Sequence, residues 1–150
     1  LDNRLEVSKN IGATHTINPS ISDPLEAVEE ITNGELVDIV IEAAGTSSAL
    51  AQAIDKCQKG GLVGIPSTYW DPIEIPALSM GMKEISLVPS ITYGHTTGRR
   101  DFDLAMSVIA ASPELGRALI TDRFPLDGAA EAFDAARNRS TGVIKVAIDV

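Results

Sequence analysis

Glu42 is the acidic residue that closes an apolar run: residues 37–45 read VDIVIEAAG. A run that is apolar at nearly every position reads as a strand buried on both faces of a parallel sheet. Glu42 then sits at the strand's carboxyl edge, where open α/β sheets bind their ligands. It could bond polar groups of a ligand or cap neighbouring backbone, and the structural role is the expected one. Ala43, Ala44 and Gly45 follow. Such small residues let backbone approach a ligand closely. A tight strand-to-helix turn needs the same residues, and residue type alone leaves the two readings even. Thr46, Ser47 and Ser48 then offer N-cap hydroxyls for a helix.

The other reactive residue types lack partners. His15 and His95 have no Cys or acidic residues at ligand spacing, which argues against a metal site. Ser67 and Ser90 lack the GxSxG turn of a hydrolase nucleophile, and no P-loop is present. Met80, Met82 and Met106 read as packing residues. Cys57 falls on the apolar face of a helical pattern and reads as core. As the single cysteine it excludes an internal disulfide and fits a reducing, cytoplasmic setting. The formal net charge is −9, and the nearest approach to a basic run is Arg99-Arg100. That balance argues against nucleic acid or an anionic membrane as partner. No apolar stretch is long enough to span a bilayer, and there is no signal-peptide pattern. The first residue is Leu1, not Met, a start that suggests a processed product or a piece cut from something longer.

The elements that would position these residues alternate between strand and helix. Asp2 is expected to cap a helix ending near Ile11, and residues 14–18 (THTIN) read as a short strand. Asp23 as N-cap, Pro24 at the first helical position and Glu26 closing a capping box start a helix with Leu25, Val28 and Ile31 on one face. Asn33-Gly34 ends it. After the strand at 37–45, Leu50, Ala53, Ile54 and Cys57 repeat at i, i+3, i+4, i+7. Lys59 is placed in the last turn of that helix and Gly60-Gly61 at its end. Residues 62–65 form the next strand, closed by Pro66; residues 71–76 read as an edge strand; residues 77–83 show no pattern. Residues 84–92 are strand-like, with Pro89 forcing a bulge or an edge position, and 94–98 form a loop. Phe102, Ala105, Met106 and Ile109 mark a helix ended by Pro113, followed by an extended piece at 119–124. Asp127 caps a last helix with Ala129, Ala132, Phe133 and Ala136 on its face, and residues 143–150 form the final strand. The class is α/β with a mainly parallel sheet, in one domain.

In this order the chain resembles the second half of a medium-chain dehydrogenase/reductase, in the zinc-dependent alcohol, polyol and threonine dehydrogenase group. The residues that carry the resemblance are NRLEVSKNIGATHTINPS (3–20), VDIVIEAAG (37–45), KGGLVGIPS (59–67), ITDRFPLDGAAEAF (120–133) and GVIKV (142–146). The resemblance implies a partial Rossmann fold, doubly wound and mainly parallel, lacking the first two strands. Residues 1–150 would be the C-terminal part of the dinucleotide-binding domain. It implies a cofactor, NAD or NADP, contacted by Arg4, by Ala43, Ala44 and Gly45, by Gly64, Ile65 and Pro66, by Ser90, Ile91 and Thr92, and by Lys145. The glycine-rich phosphate turn and the ribose-binding acid of the family would lie upstream of Leu1. So would the zinc ligands, so that zinc belongs to the intact parent and no residue here is catalytic or metal-binding. The parent would pass a hydride between a small alcohol or polyol and the cofactor, and the fragment alone would be inactive. A homo-oligomer is expected, with its contact near residues 84–92.

Two rival readings remain at this point. Zinc-free quinone and enoyl reductases share this half of the fold, and a non-enzymatic nucleotide-binding or scaffold domain fits the same residues. The strand order 3-2-1-4-5-6 of such sheets has one more consequence. A chain without the first two strands leaves the 37–45 strand with an open edge. Either another chain closes that edge or the 14–18 segment is displaced.

Overall fold

In the computed structural model, which describes residues 1–96 and 98–150 apart from the side chains of Thr96 and Arg139, the chain divides into two compact units. One is Pro19–Gly98; the other joins Leu1–Asn18 to Arg99–Val150. Thr97, in the expected loop at 94–98, lies outside the described residues.

The chain opens with α1 (Asp2–Asn10), whose N-cap is Leu1. Asp2 is therefore the first helical residue rather than the cap. Its carboxylate accepts from Asn18 Nδ2 at 2.7 Å, and its charge lies at the favourable end of the helix dipole. Residues 14–18 form no strand. A lone strand has no ladder to hold it, and here the segment has no strand partner among the described residues.

In Pro19–Gly98 the local signals act as read. The Asp23 carboxylate accepts from the Leu25 and Glu26 N–H groups at 2.8 and 3.1 Å, starting α2 (Pro24–Thr32). Asn33, left-handed at φ 54°, and Gly34 at φ 87° end it. Then come β1 (Val37–Ile41), α3 (Ser47–Lys56), β2 (Cys57–Ile65), α4 (Ala77–Met82), β3 (Ser86–Pro89) and β4 (His95–Thr96). The three-stranded sheet runs β1-β2-β3, all parallel, with Val40 opposite Val63 and Val63 opposite Leu87. Leu50 and Ile54 of α3 are fully buried against Cys57 and Val63. Each such aliphatic side chain contributes about 1.5–3 kcal/mol.

Three expectations change in this unit. β1 is covered on one face only: Val40 packs on the core, while Ile39 and Ile41 are each 62% exposed. The strand lies at the sheet's edge, and α3 covers just the side its own residues reach. Second, α3 stops at Lys56, so Lys59, Gly60 and Gly61 belong to β2. No glycine cap is needed, because Lys83 Nζ donates to the carbonyls of Ile54, Asp55 and Cys57 at 3.2, 2.6 and 3.2 Å. Third, residues 71–76 form no strand, and the patternless stretch after them is helical. Pro89 ends β3 at the sheet's other edge, where a missing N–H is tolerated.

The rest of the other unit is β5 (Arg99–Arg100), α5 (Asp101–Ala111), α6 (Pro113–Leu119), β6 (Ile120–Pro125), α7 (Ala129–Arg137) and β7 (Lys145–Asp149). α5 stops at Ala111, just before Pro113 as expected, and Pro113 also opens α6, the other position a proline favours. The expected apolar face of α5 is exposed: Phe102 by 58%, Met106 by 62% and Ile109 by 49%. β6 and β7 pair in parallel as a separate two-stranded sheet. A 3₁₀ turn at Leu126–Gly128 absorbs Asp127, so Gly128 rather than Asp127 holds the cap position of α7. Ala132 faces inward at 2% exposure, flanked by half-buried Ala129 and Ala135, while Phe133 points out. Asn3 Nδ2 and Arg4 Nη2 donate to the carbonyls of Gly142 and Val143, each at 2.8 Å, tying α1 to the entry of β7.

Candidate functional site

Parallel strands end at the same edge, and three of the expected groups meet there. Glu42 N–H donates to Gly64 O at 2.9 Å, and Ser90 N–H donates to Ile65 O at 2.9 Å, extending the ladder just past the strands. The segments 43–45, 64–66 and 90–92 therefore share the carboxyl edge of β1-β2-β3. Arg4 and Lys145 lie in the other unit. Arg4 spends Nη2 on Val143 O, and its Nε is buried with no hydrogen-bond partner among the described residues. Lys145 is exposed on β7.

What each residue can offer a ligand follows from its bonds. Ala43 and Ala44 are exposed, and with Ala49 and Lys56 they line a hollow of about 270 Å³ beside the turn. Gly45 has φ +72°, and a Cβ there would lie 2.7 Å from Thr68 O, so only glycine fits. Ile65 places its side chain in the core and its carbonyl in the bond to Ser90. It can meet a ligand through little but its edge. The Ser90 N–H is consumed by the same bond, whereas Ile91 is 85% exposed. Lys56 Nζ donates to Gln52 O and Oε1, both at 3.3 Å, and partial burial pushes its ammonium below the usual lysine range.

Glu42 is 3% exposed and organises the edge. Its Oε1 accepts from the N–H groups of Ala44 at 2.7 Å and Gly45 at 2.9 Å. Its Oε2 accepts from the Tyr69 hydroxyl at 2.5 Å and from the Ser67 hydroxyl. Burial alone would push the carboxyl up. The bonds from Ser67, Tyr69, Gly45 and Ala44 together outweigh it and hold the group below its ordinary value. The Tyr69 phenol is raised, first by burial and then by the carboxylate it faces. The capping role expected for Glu42 is the observed one. In the sequence Ser67 reads only as a serine without a nucleophile's turn, and Tyr69 carries no local signal. The signal that could have found both is the need of a buried strand-end carboxylate for donors from the neighbouring strand end.

The edge can line one side of a dinucleotide, through small residues and a glycine that admits close backbone. It does not grip a phosphate through the Ala44 and Gly45 N–H groups, which are already taken. Nor does it fit zinc: among the described residues no group of three or more His, Cys, Asp or Glu could hold a metal ion. A hollow of about 540 Å³ near Thr121, Asp134 and Asn138 contains none of the expected residues. Among the described residues no helix is long and apolar enough to cross a membrane.

The profile of a family described as zinc-binding dehydrogenase matches residues 1–111. The sorbitol dehydrogenase of Bacillus subtilis is 31% identical over 148 residues, 97% of this chain and 40% of the relative. An alcohol dehydrogenase structure from Thermotoga maritima superposes with TM-score 0.81 at 25% identity, covering 98% of this chain and 41% of its own. A short chain alcohol dehydrogenase of Escherichia coli CFT073, complexed with its cofactor NADH, superposes with TM-score 0.78 at 24% identity over 100% of this chain and 42% of its own. The chain thus spans about two fifths of the length of the relatives it matches. The α/β, mainly parallel fold expected from the sequence is the fold found.

Proposed function

The chain belongs to the zinc-binding dehydrogenase family, and from that premise we propose that it is the cofactor-side part of an oxidoreductase acting on an alcohol or polyol. A nicotinamide cofactor, NAD or NADP, supplies hydride acceptance when bound. The chain's own contribution is a wall for that cofactor at the carboxyl edge of β1-β2-β3, made by Ala43, Ala44, Gly45, Gly64, Ile65, Pro66, Ser90, Ile91 and Thr92. Arg4 and Lys145 are further contacts in this reading, and zinc stays with ligands outside these residues. The observation that carries the reading is the convergence of three strand ends on one edge, with Gly45 in a conformation and a space that admit only glycine.

The sorbitol and alcohol dehydrogenase relatives support a small polyol or alcohol as substrate. A homo-oligomer through the β3 edge is part of the same reading, supported by exposed Val88 at 43% and Ile91 at 85%. A cytoplasmic setting is proposed from the single buried, reduced Cys57. The test is titration of the chain with NADH and NADPH, combined with an assay for sorbitol or ethanol oxidation with zinc added. No turnover and no saturation at micromolar nucleotide are expected. Turnover by this chain alone overturns the reading, and micromolar affinity favours a self-sufficient nucleotide-binding module instead.

A further inference from the structure

Resting on the cofactor reading above for its ligand, we infer that Glu42 is the positioning residue of this edge. Its carboxylate is a built-in anion that locks the turn after β1 to the segment after β2, and the locked pair presents a face for the uncharged, nucleoside side of a cofactor.

A carboxylate offers about four lone-pair sites, and here four donors fill them: Ala44 N–H, Gly45 N–H, Ser67 O–H and Tyr69 O–H. Glu42 is thus saturated and does not itself touch a ligand. Its donors come from two separate segments, 25 and 27 residues apart in the case of the hydroxyls. The same two segments touch at Gly45, where even a Cβ would meet Thr68 O at 2.7 Å. Loss of the carboxylate frees both segments at once.

The charge has a second effect. The N–H groups of the turn and of the helix start that follows are donors that would hold a phosphate here. At this edge the protein's own anion holds two of them. A phosphate placed against Ala44 would find its N–H already given to a carboxylate. The Ser67 and Tyr69 protons also point to Glu42, which leaves the two oxygens as acceptors. The edge therefore suits a ring or ribose with donors of its own, lying on exposed Ala43 and Ala44.

The test is NMR on the full chain. Between neutral pH and acid, the Ala44 and Gly45 amide signals and the Tyr69 ring signals should move together, with one midpoint below the ordinary carboxyl value of 4.5. In Glu42→Gln that joint movement disappears, and exchange at the two amides rises about tenfold. Millimolar NADH should shift the Ala43, Ala44 and Gly45 amides, with half-saturation about tenfold higher in Glu42→Gln. Inorganic phosphate at the same concentration should leave them in place. Should Glu42→Gln not fold, Ser67→Ala and Tyr69→Phe, each removing one donor, should move the shared midpoint upward. Separate midpoints for the amides and the ring overturn the clamp. A coupled acid titration with no response to NADH overturns the cofactor reading and leaves the clamp standing. Shifts caused by phosphate overturn the built-in anion.

Discussion

Tyr69 donates its hydroxyl to Glu42 Oε2 at 2.5 Å, although the two residues are 27 positions apart. The bond joins the end of one strand to the loop after the next. A hydrogen bond to a charged acceptor contributes about 1.5–3 kcal/mol. Tyr69 is only half-buried, so Tyr69→Phe should cost about 1.5 kcal/mol, the low end of that range. Glu42→Ala should cost more, because it strands four donors at once. Urea unfolding of the two variants checks the order. Equal losses would mean that the tyrosine is the sole partner of consequence.

Acid should unfold the Pro19–Gly98 unit through the same carboxylate. The Glu42 carboxyl lies lower in the folded chain than its ordinary value, despite the upward push of burial. As pH falls, the unfolded state takes up the proton first, so folding loses free energy. The contribution is complete above the ordinary carboxyl range and drains as pH falls through it. Asp23, held down by the Glu26 and Leu25 N–H groups, acts in the same direction at the surface. Chemical unfolding at a series of pH values should show stability declining below roughly pH 5. In Glu42→Gln the decline should be visibly shallower, and an unchanged slope would assign acid sensitivity to other carboxylates.

Gly45→Ala should unsettle the same turn from the backbone side. The residue sits at φ +72°, and the new methyl would meet Thr68 O at 2.7 Å. A left-handed conformation costs an L-residue about 1–2 kcal/mol, before any overlap is counted. The melting temperature should fall by more in Gly45→Ala than in Gly34→Ala, which shares a positive φ of 87° but has open space around it. Equal losses would show that strain alone, and not contact with Thr68, fixes the glycine.

Lys83 supplies a prediction away from the site. Its ammonium reaches the carbonyls of Ile54, Asp55 and Cys57 at 3.2, 2.6 and 3.2 Å, at the end of α3. A cation there meets both the open acceptors and the negative end of the helix. Lys83→Met should cost about 1–2 kcal/mol, and amide exchange in the last turn of α3 should quicken ahead of β2. Lys83→Arg should recover part of the loss, since the cation remains.

The features legible in the sequence were those whose cause is local. Asp23-Pro24 starts α2 because a cap and a fixed φ act within one turn, and Asn33-Gly34 ends it for the same reason. The α3 face was readable because Leu50, Ala53 and Ile54 carry their period with them. Gly60-Gly61 misled, because the carbonyls a glycine cap would have served are taken by Lys83, far along the chain. Glu42 could be placed at the edge from the run before it. Its partners Ser67 and Tyr69 could not, since a hydroxyl's donor direction is set by the neighbouring strand. The burial of β1 failed as a reading because an apolar residue reports what it would prefer to touch, and only the sheet order reports what is there to be touched.

β1 supplies the last prediction. Glu42 N–H bonds Gly64 O on the β2 side, and backbone groups alternate along a parallel strand. The N–H and C=O groups of Ile39 and Ile41 therefore point to the free edge. The same two side chains are 62% exposed, so a ladder with no strand partner among the described residues and an apolar face coincide. Natural sheets blunt such edges with lysine, proline or a bulge. β1 carries none of the first two, and its only register shift falls between Val37 and Ile39, before the exposed pair. The chain should thus associate in a concentration-dependent way through β1, against the repulsion of a net charge of −9. Added salt should strengthen that association by screening. Ile39→Lys with Ile41→Lys should abolish the part of the association that runs through β1, leaving at most the oligomer formed at the β3 edge in analytical ultracentrifugation, while α3 keeps its amide protection. If the double variant associates as the parent does, the β3 edge is the contact surface, and β1 is sealed by something other than a second copy.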